Sequence, residues 1–168
     1  MNTHRSVPAT TRRRFLAATG ALLAGQAFAA PATGPRPAAV LVEVWKDPNC
    51  GCCQDWVQHL EDNGFKVKVN DTGNTAVRAK LGVAQAYGSC HTALVGGYAV
   101  EGHVPARDIR RLLKERPKAV GLSVPGMPVG SPGMDGPAYG GRQDAYRVML
   151  LAHDGSASVW EVYVGGRG

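Results

Sequence analysis

The 168-residue chain has no acidic residue among its first thirty positions, no proline between Pro48 and Pro105, and no cysteine just after its first apolar stretch. It also lacks a P-loop, a G-x-G-x-x-G turn in a dinucleotide setting, a Ser/His/Asp pattern and any internal repeat. Those absences remove phosphate-cradling loops, triad hydrolysis and solenoid architectures from consideration. The apolar stretch Phe15 to Phe28 is shorter than the about 20 residues a transmembrane helix needs, so no stable membrane span is expected.

The acid-free head is informative for what it holds. Arg5, Arg12, Arg13 and Arg14 precede the apolar stretch, which ends in Ala27-Phe28-Ala29. A basic head, a short apolar body and a small-residue exit form a secretory signal. Thr11-Arg12-Arg13-Arg14-Phe15-Leu16 is similar to a twin-arginine leader, which points to bacterial export to the periplasm. The missing cysteine after the cleavage point speaks against a lipid anchor there. Residues 1–29 are therefore read as a removed signal, 30–37 as a flexible lead-in, and 38–168 as one domain. The formal net charge of +6 rests largely on the leader arginines. With those four set aside, 15 Lys and Arg face 13 Asp and Glu, a net charge of +2. Such balance gives no argument for nucleic acid.

The remaining chain alternates strand and helix patterns. Ala38 to Trp45 reads as a buried strand, and Gly51 to Asn63 as a helix burying Trp56, Val57 and Leu60. Phe65 to Val69 alternates, with Phe65, Val67 and Val69 inward. Thr75 to Leu81 forms a short helix, Thr92–Val95 and Tyr98–Val100 a hairpin about Gly96-Gly97, and Pro105 to Glu115 a helix. Residues 121–141, rich in Gly and Pro, read as a long loop. Tyr146–Leu151 and Val159–Val164 close the chain as a hairpin. The order predicts an α/β fold, a small mixed sheet flanked by helices.

All four cysteines follow the leader: Cys50, Cys52, Cys53 and Cys90. Three occupy four positions at a strand-to-helix junction, where unpaired N–H groups and the helix dipole favour thiolate. Cys50 and Cys53 are spaced to meet on a helix, whereas Cys52 diverges unless the first turn is irregular. Disulfides within so short a segment would tie down little chain. A dithiol redox enzyme using Cys50 and Cys53 leaves Cys52 and Cys90 without a role. Copper(I) prefers thiolate sulfur, and crowded sulfurs can bridge several ions. Zinc prefers a tetrahedral site from well-spaced pairs, which adjacent Cys52 and Cys53 suit poorly.

Pro48-Asn49-Cys50-Gly51-Cys52-Cys53 with Trp56, Ser89-Cys90-His91-Thr92-Ala93, Glu101-Gly102-His103-Val104-Pro105-Ala106, and Val124-Pro125-Gly126-Met127-Pro128 through Ser131-Pro132-Gly133-Met134 together resemble the CopG-type periplasmic copper-resistance family. The resemblance spans about residues 40–135. It implies a thioredoxin-like domain, copper(I) held by Cys50, Cys52, Cys53 and Cys90, and periplasmic copper handling that extends to copper redox chemistry. Copper ions and other periplasmic copper-handling proteins are the implied partners. Ordinary thioredoxins resemble the chain in the strand–C-x-x-C–helix unit, but they carry proline before the second cysteine, where Cys52 stands here. Cys90 takes the place of their cis-proline, adding a ligand where a proline would cover the dithiol.

Four neighbours are candidate additional ligands. His91 follows Cys90, although strand alternation points its side chain the other way. His103 precedes a helix start, where capping is the alternative role. Met127 and Met134 lie in the Gly/Pro-rich loop with little core to fill, and thioether sulfur is a soft ligand. His59 reads as a surface residue and Trp56 as packing beneath the site.

Overall fold

A computed structural model describes residues 39–165. The signal (1–29), the lead-in (30–37) and the terminal Gly166-Arg167-Gly168 lie outside the described residues. The element order is β1 (Leu41–Lys46), α1 (Gly51–Asp62), β2 (Lys66–Asn70), α2 (Thr75–Lys80), β3 (His91–Val95), β4 (Tyr98–Glu101), α3 (Ala106–Glu115), β5 (Gly121–Ser123), β6 (Tyr146–Leu151) and β7 (Ala157–Tyr163). The seven strands form one mixed sheet in the order β2-β1-β3-β4-β5-β6-β7. β1–β2 and β4–β5 are parallel and the other pairs antiparallel.

Strand alternation gives the sheet two unlike faces. Val42, Val44, Ala93, Val95, Val100 and Val148 point to the face covered by α1 and α3, where they meet Trp56, Leu60, Ile109 and Leu112. These last four side chains are fully buried. The opposite face holds a smaller cluster of Val83, Ala99, Val120 and Leu151, with Leu81 just past α2 packed against it.

Three expectations need correction. Residues 121–141 are not wholly loop: Gly121–Ser123 pairs with both β4 and β6. A 3-10 turn also covers Pro137–Tyr139. The composition that suggested a loop hides these elements because Gly121 is there for clearance. Its φ is +157, and a Cβ at that position would lie 1.7 Å from the Ala99 carbonyl oxygen. Second, Val69 is 36% exposed rather than inward, near the end of β2, which is an edge strand. Third, His59 is half-buried, and its Nε2 accepts from the Ala106 N–H at 3.1 Å. It serves the first turn of α3, which has no side-chain cap of its own.

Gly121→Ala is expected to break the β4–β5 pairing and lower stability by about 3 kcal/mol or more. Urea denaturation followed by Trp fluorescence measures this; an unchanged midpoint would contradict the close-approach argument.

Candidate metal centre

The cysteine site is a corner of the sheet. β1 and β3 are antiparallel, with Lys46 opposite His91. The chain leaving β1 and the chain entering β3 therefore occupy the same end of the sheet. Asp47 turns the first: its carbonyl accepts from the Cys50 N–H at 3.1 Å and its carboxylate from the Asn49 N–H at 2.8 Å. α1 then begins. Cys50 is its N-cap, with extended backbone angles of −77° and 96°. No side chain caps the helix and its first turn holds no carboxylate, so the positive end of its dipole is left to the sulfurs.

The extended angles at Cys50 supply the irregular first turn that Cys52 requires. Cys50 Sγ lies 3.6 Å from Cys52 Sγ, while Cys50 and Cys53 are joined as a disulfide. Cys90 comes from the other strand, and its backbone carbonyl lies 3.7 Å from Cys53 Sγ. All four sulfurs fall within 4.8 Å of one another. Cys53 is fully buried, whereas Cys50, Cys52 and Cys90 are half-buried. Burial pushes the Cys90 thiol up to about 12, with the neighbouring Cys52 charge adding to the shift.

A second set of donors meets at Cys90. The ligand atoms of Cys90, His91 and His103 also lie within 4.8 Å of one another. His103 Nδ1 is 2.8 Å from the Pro132 carbonyl oxygen, and His103 Nε2 is 3.1 Å from Cys90 Sγ. A carbonyl only accepts, so the ring proton is assigned to Nδ1 and Nε2 turns its lone pair to the sulfur. An imidazole held through one nitrogen by a backbone carbonyl is how metal-ligating histidines are oriented. His91 Nδ1 is 3.3 Å from the same sulfur, and its Nε2 is buried with no hydrogen-bond partner. The strand-alternation argument fails for His91 because Cys90 precedes β3 and does not belong to the ladder. His91 itself is fully buried, its ring 4.2 Å from that of Trp56, which lies beneath the site as expected.

Burial lowers the pKa of both rings, and that of His91 falls further because His103 faces it. Each neutral ring then carries one N–H and one lone pair, and the thiol carries one proton. The thiol proton can serve one nitrogen only. A cation between the three would take a lone pair from each.

The Gly/Pro-rich loop lies over this corner. A Cβ on Gly133 would sit 2.6 Å from the Cys52 carbonyl oxygen and 2.7 Å from the Trp56 nitrogen, so the loop backbone rests directly on the first turn of α1. The two candidate methionines part company here. Met127 is 52% exposed, whereas Met134 is buried and its sulfur accepts from the Tyr139 hydroxyl at 3.2 Å. The structure thus brings together the four cysteines, His91 and His103. Sequence reasoning missed the Pro132 carbonyl, the Gly133 contact, and the buried polar residues behind Cys90; the one available signal was a charged residue, Glu101, ending an apolar strand.

Together these features define a mixed α/β domain with a cysteine-rich cluster able to bind a metal. A family described as "Protein of unknown function, DUF411" matches residues 87–134. Two solved structures of a copper resistance protein CopG are each 52% identical in sequence to this chain. Form 1 gives a TM-score of 0.70, with 76% of this chain and 99% of that chain covered. Form 2 gives 0.69, with 74% and 98% covered. No curated protein matches the chain. The chain belongs to the CopG family of copper resistance proteins.

The histidines give the metal-free protein a pH signature. Their folded-state pKa values lie below the ordinary value of about 6.5, so below that pH the unfolded chain takes up protons that the folded chain refuses. Stability from this source is intact above about pH 7 and is lost as pH falls below 6.5, by up to about 1.4 kcal/mol per pH unit for each ring. Denaturant melts from pH 8 to pH 5, comparing wild type with His103→Gln, should show a shallower acid-side decline in the variant. Equal slopes would contradict the assignment.

Proposed function

We propose that this protein binds copper(I) in the periplasm through the thiolates of Cys50, Cys52, Cys53 and Cys90, as a cluster of more than one ion, in copper resistance and homeostasis. The observation that carries the reading is the packing of four sulfurs within 4.8 Å of one another, with no other residue between two of them and a third reached through an irregular helix start. Sulfur so dense exceeds what one ion needs and suits a soft ion that tolerates low coordination and shared ligands. His91 and His103 add nitrogen donors at Cys90, and Met127 offers an exposed thioether in the Gly/Pro-rich loop.

The rest of the reading follows from this core. Residues 1–29 direct export and are removed, 30–37 form the lead-in, and 38–168 form one thioredoxin-like domain. The strand β1, the three-cysteine turn and α1 supply the resemblance to that fold, and the strand-and-helix order after them supports it. Copper ions are the cargo, exchanged with other copper-handling proteins of the same compartment. In an oxidising compartment free thiols are short-lived. The Cys50–Cys53 disulfide and the metal-bound thiolates are then two ends of one cycle: as metal leaves, the two thiolates form the S–S bond and pass two electrons to a disulfide oxidant of the compartment, whose own S–S bond is reduced to thiols. The two solved relatives bear the name copper resistance protein, which accords with this role.

A second reading is favoured by the disulfide itself: a thiol–disulfide oxidoreductase using Cys50 and Cys53, the pair joined at a helix N-terminus. Cys52→Ser separates the two. A dithiol enzyme keeps most of its disulfide-exchange activity in that variant, whereas a copper cluster loses stoichiometry.

Anaerobic titration of the fully reduced protein with copper(I), with metal-to-protein ratio and thiol protection read together, tests the main proposal. More than one copper per chain with all four thiols protected is expected. No saturable binding would overturn it.

A further inference from the structure

Cys90 is held from behind by a buried polar assembly that the metal site does not use. Strand alternation places Thr92 and Glu101, opposite each other in the β3–β4 ladder, on the face away from α1. Glu101 is fully buried. Its Oε1 accepts from Arg78 Nε at 2.8 Å and from the Ser89 N–H at 2.7 Å, and its Oε2 accepts from the Thr92 hydroxyl at 2.5 Å. The Ser89 carbonyl accepts from the Arg78 guanidinium, and from Asn74 Nδ2 at 3.3 Å. Asn74 also donates to the Thr92 hydroxyl oxygen at 3.2 Å. Both backbone groups of the residue before Cys90 are thus fixed by one ion pair, drawn from α2 and β4.

A buried ion pair is a poor way to gain stability, because desolvating both charges offsets much of their attraction. Its better-attested use is to fix one arrangement among several. The turn before β3 has no regular ladder to register it, and its two polar backbone groups would otherwise be free to choose water or other partners. We infer that Arg78 and Glu101 are positioning residues for the metal site: they clamp the Ser89 peptide so that Cys90 meets the sulfurs of the α1 turn. The inference rests on the copper reading only for its stoichiometry arm, since the clamp shapes the metal-free protein as well.

The test uses the reduced protein without its leader and two readouts. The first is the rate at which iodoacetamide labels Cys90 in the metal-free state, located by peptide mass. The second is the anaerobic copper(I) titration. The double variant Arg78→Met/Glu101→Met replaces the ion pair with apolar groups of similar length, a change that leaves many proteins folded. It is expected to melt cooperatively, to label at Cys90 at least about threefold faster, and to match Cys90→Ser in copper per chain, with affinity down by at least about tenfold. Glu101→Gln keeps an acceptor for the Ser89 N–H and is expected to retain the wild-type copper ratio. Should the double variant not melt cooperatively, Thr92→Val removes the donor to Glu101 Oε2 and Asn74→Leu the donor to the Ser89 carbonyl, which loosens the same assembly while the Arg78–Glu101 contact stays in place. Each is then expected to label faster at Cys90 than wild type.

A folded double variant with wild-type labelling and wild-type copper content would overturn the inference. So would Thr92→Val and Asn74→Leu variants that both label at the wild-type rate. If the wild-type protein takes up no copper, the copper proposal fails, and the labelling rates still decide whether the clamp exists.

Discussion

The register of β1 against β3 is the constraint on which the site depends. With Lys46 opposite His91, one strand runs out and the other runs in at the same corner of the sheet. Three sulfurs arrive on the first chain segment and one on the second. A slip of a single residue would turn Val42, Val44, Ala93 and Val95 away from α1 and α3, so burial of that face fixes the pairing strongly. The hydrophobic core thus sets the sulfur geometry, and the metal need not assemble it from a disordered chain.

At that corner two electrostatic preferences oppose each other. The uncapped start of α1 favours negative charge on sulfur, while burial opposes it at Cys90. Burial raises the Cys90 thiol, so its sulfur gives up a proton less readily than that of an exposed cysteine. Neutral His91 and His103 are kept neutral by the same burial, with lone pairs free. The loop through Gly133 covers the helix start and, through the Pro132 carbonyl, sets the tautomer of His103. One segment therefore shields the site and orients a donor in it.

Much of this was legible in the sequence where local chemistry decides structure. The apolar run of β1, the face of α1 carrying Trp56, Val57 and Leu60, and the Gly96-Gly97 turn all follow from periodicity and turn chemistry. The crowding of Cys50, Cys52 and Cys53 was plain from spacing alone. What escaped were features set by tertiary contact. β5 is three residues long within a Gly-rich stretch and owes its existence to neighbours on both sides. Strand periodicity turns His91 away from Cys90 only if Cys90 belongs to the strand, and it lies one residue before β3. His59 looked like a surface residue because its partner, the Ala106 N–H, lies 47 positions away. Backbone carbonyls such as that of Pro132 carry no sequence signal at all.

The account stands on dense sulfur serving as a soft-metal site. X-ray absorption at the copper K-edge on the reduced, copper-loaded protein measures this directly. The predicted spectrum is that of copper(I) with a first shell dominated by sulfur and a second copper atom as a near neighbour. A first shell of nitrogen and oxygen alone, with sulfur absent, would contradict it.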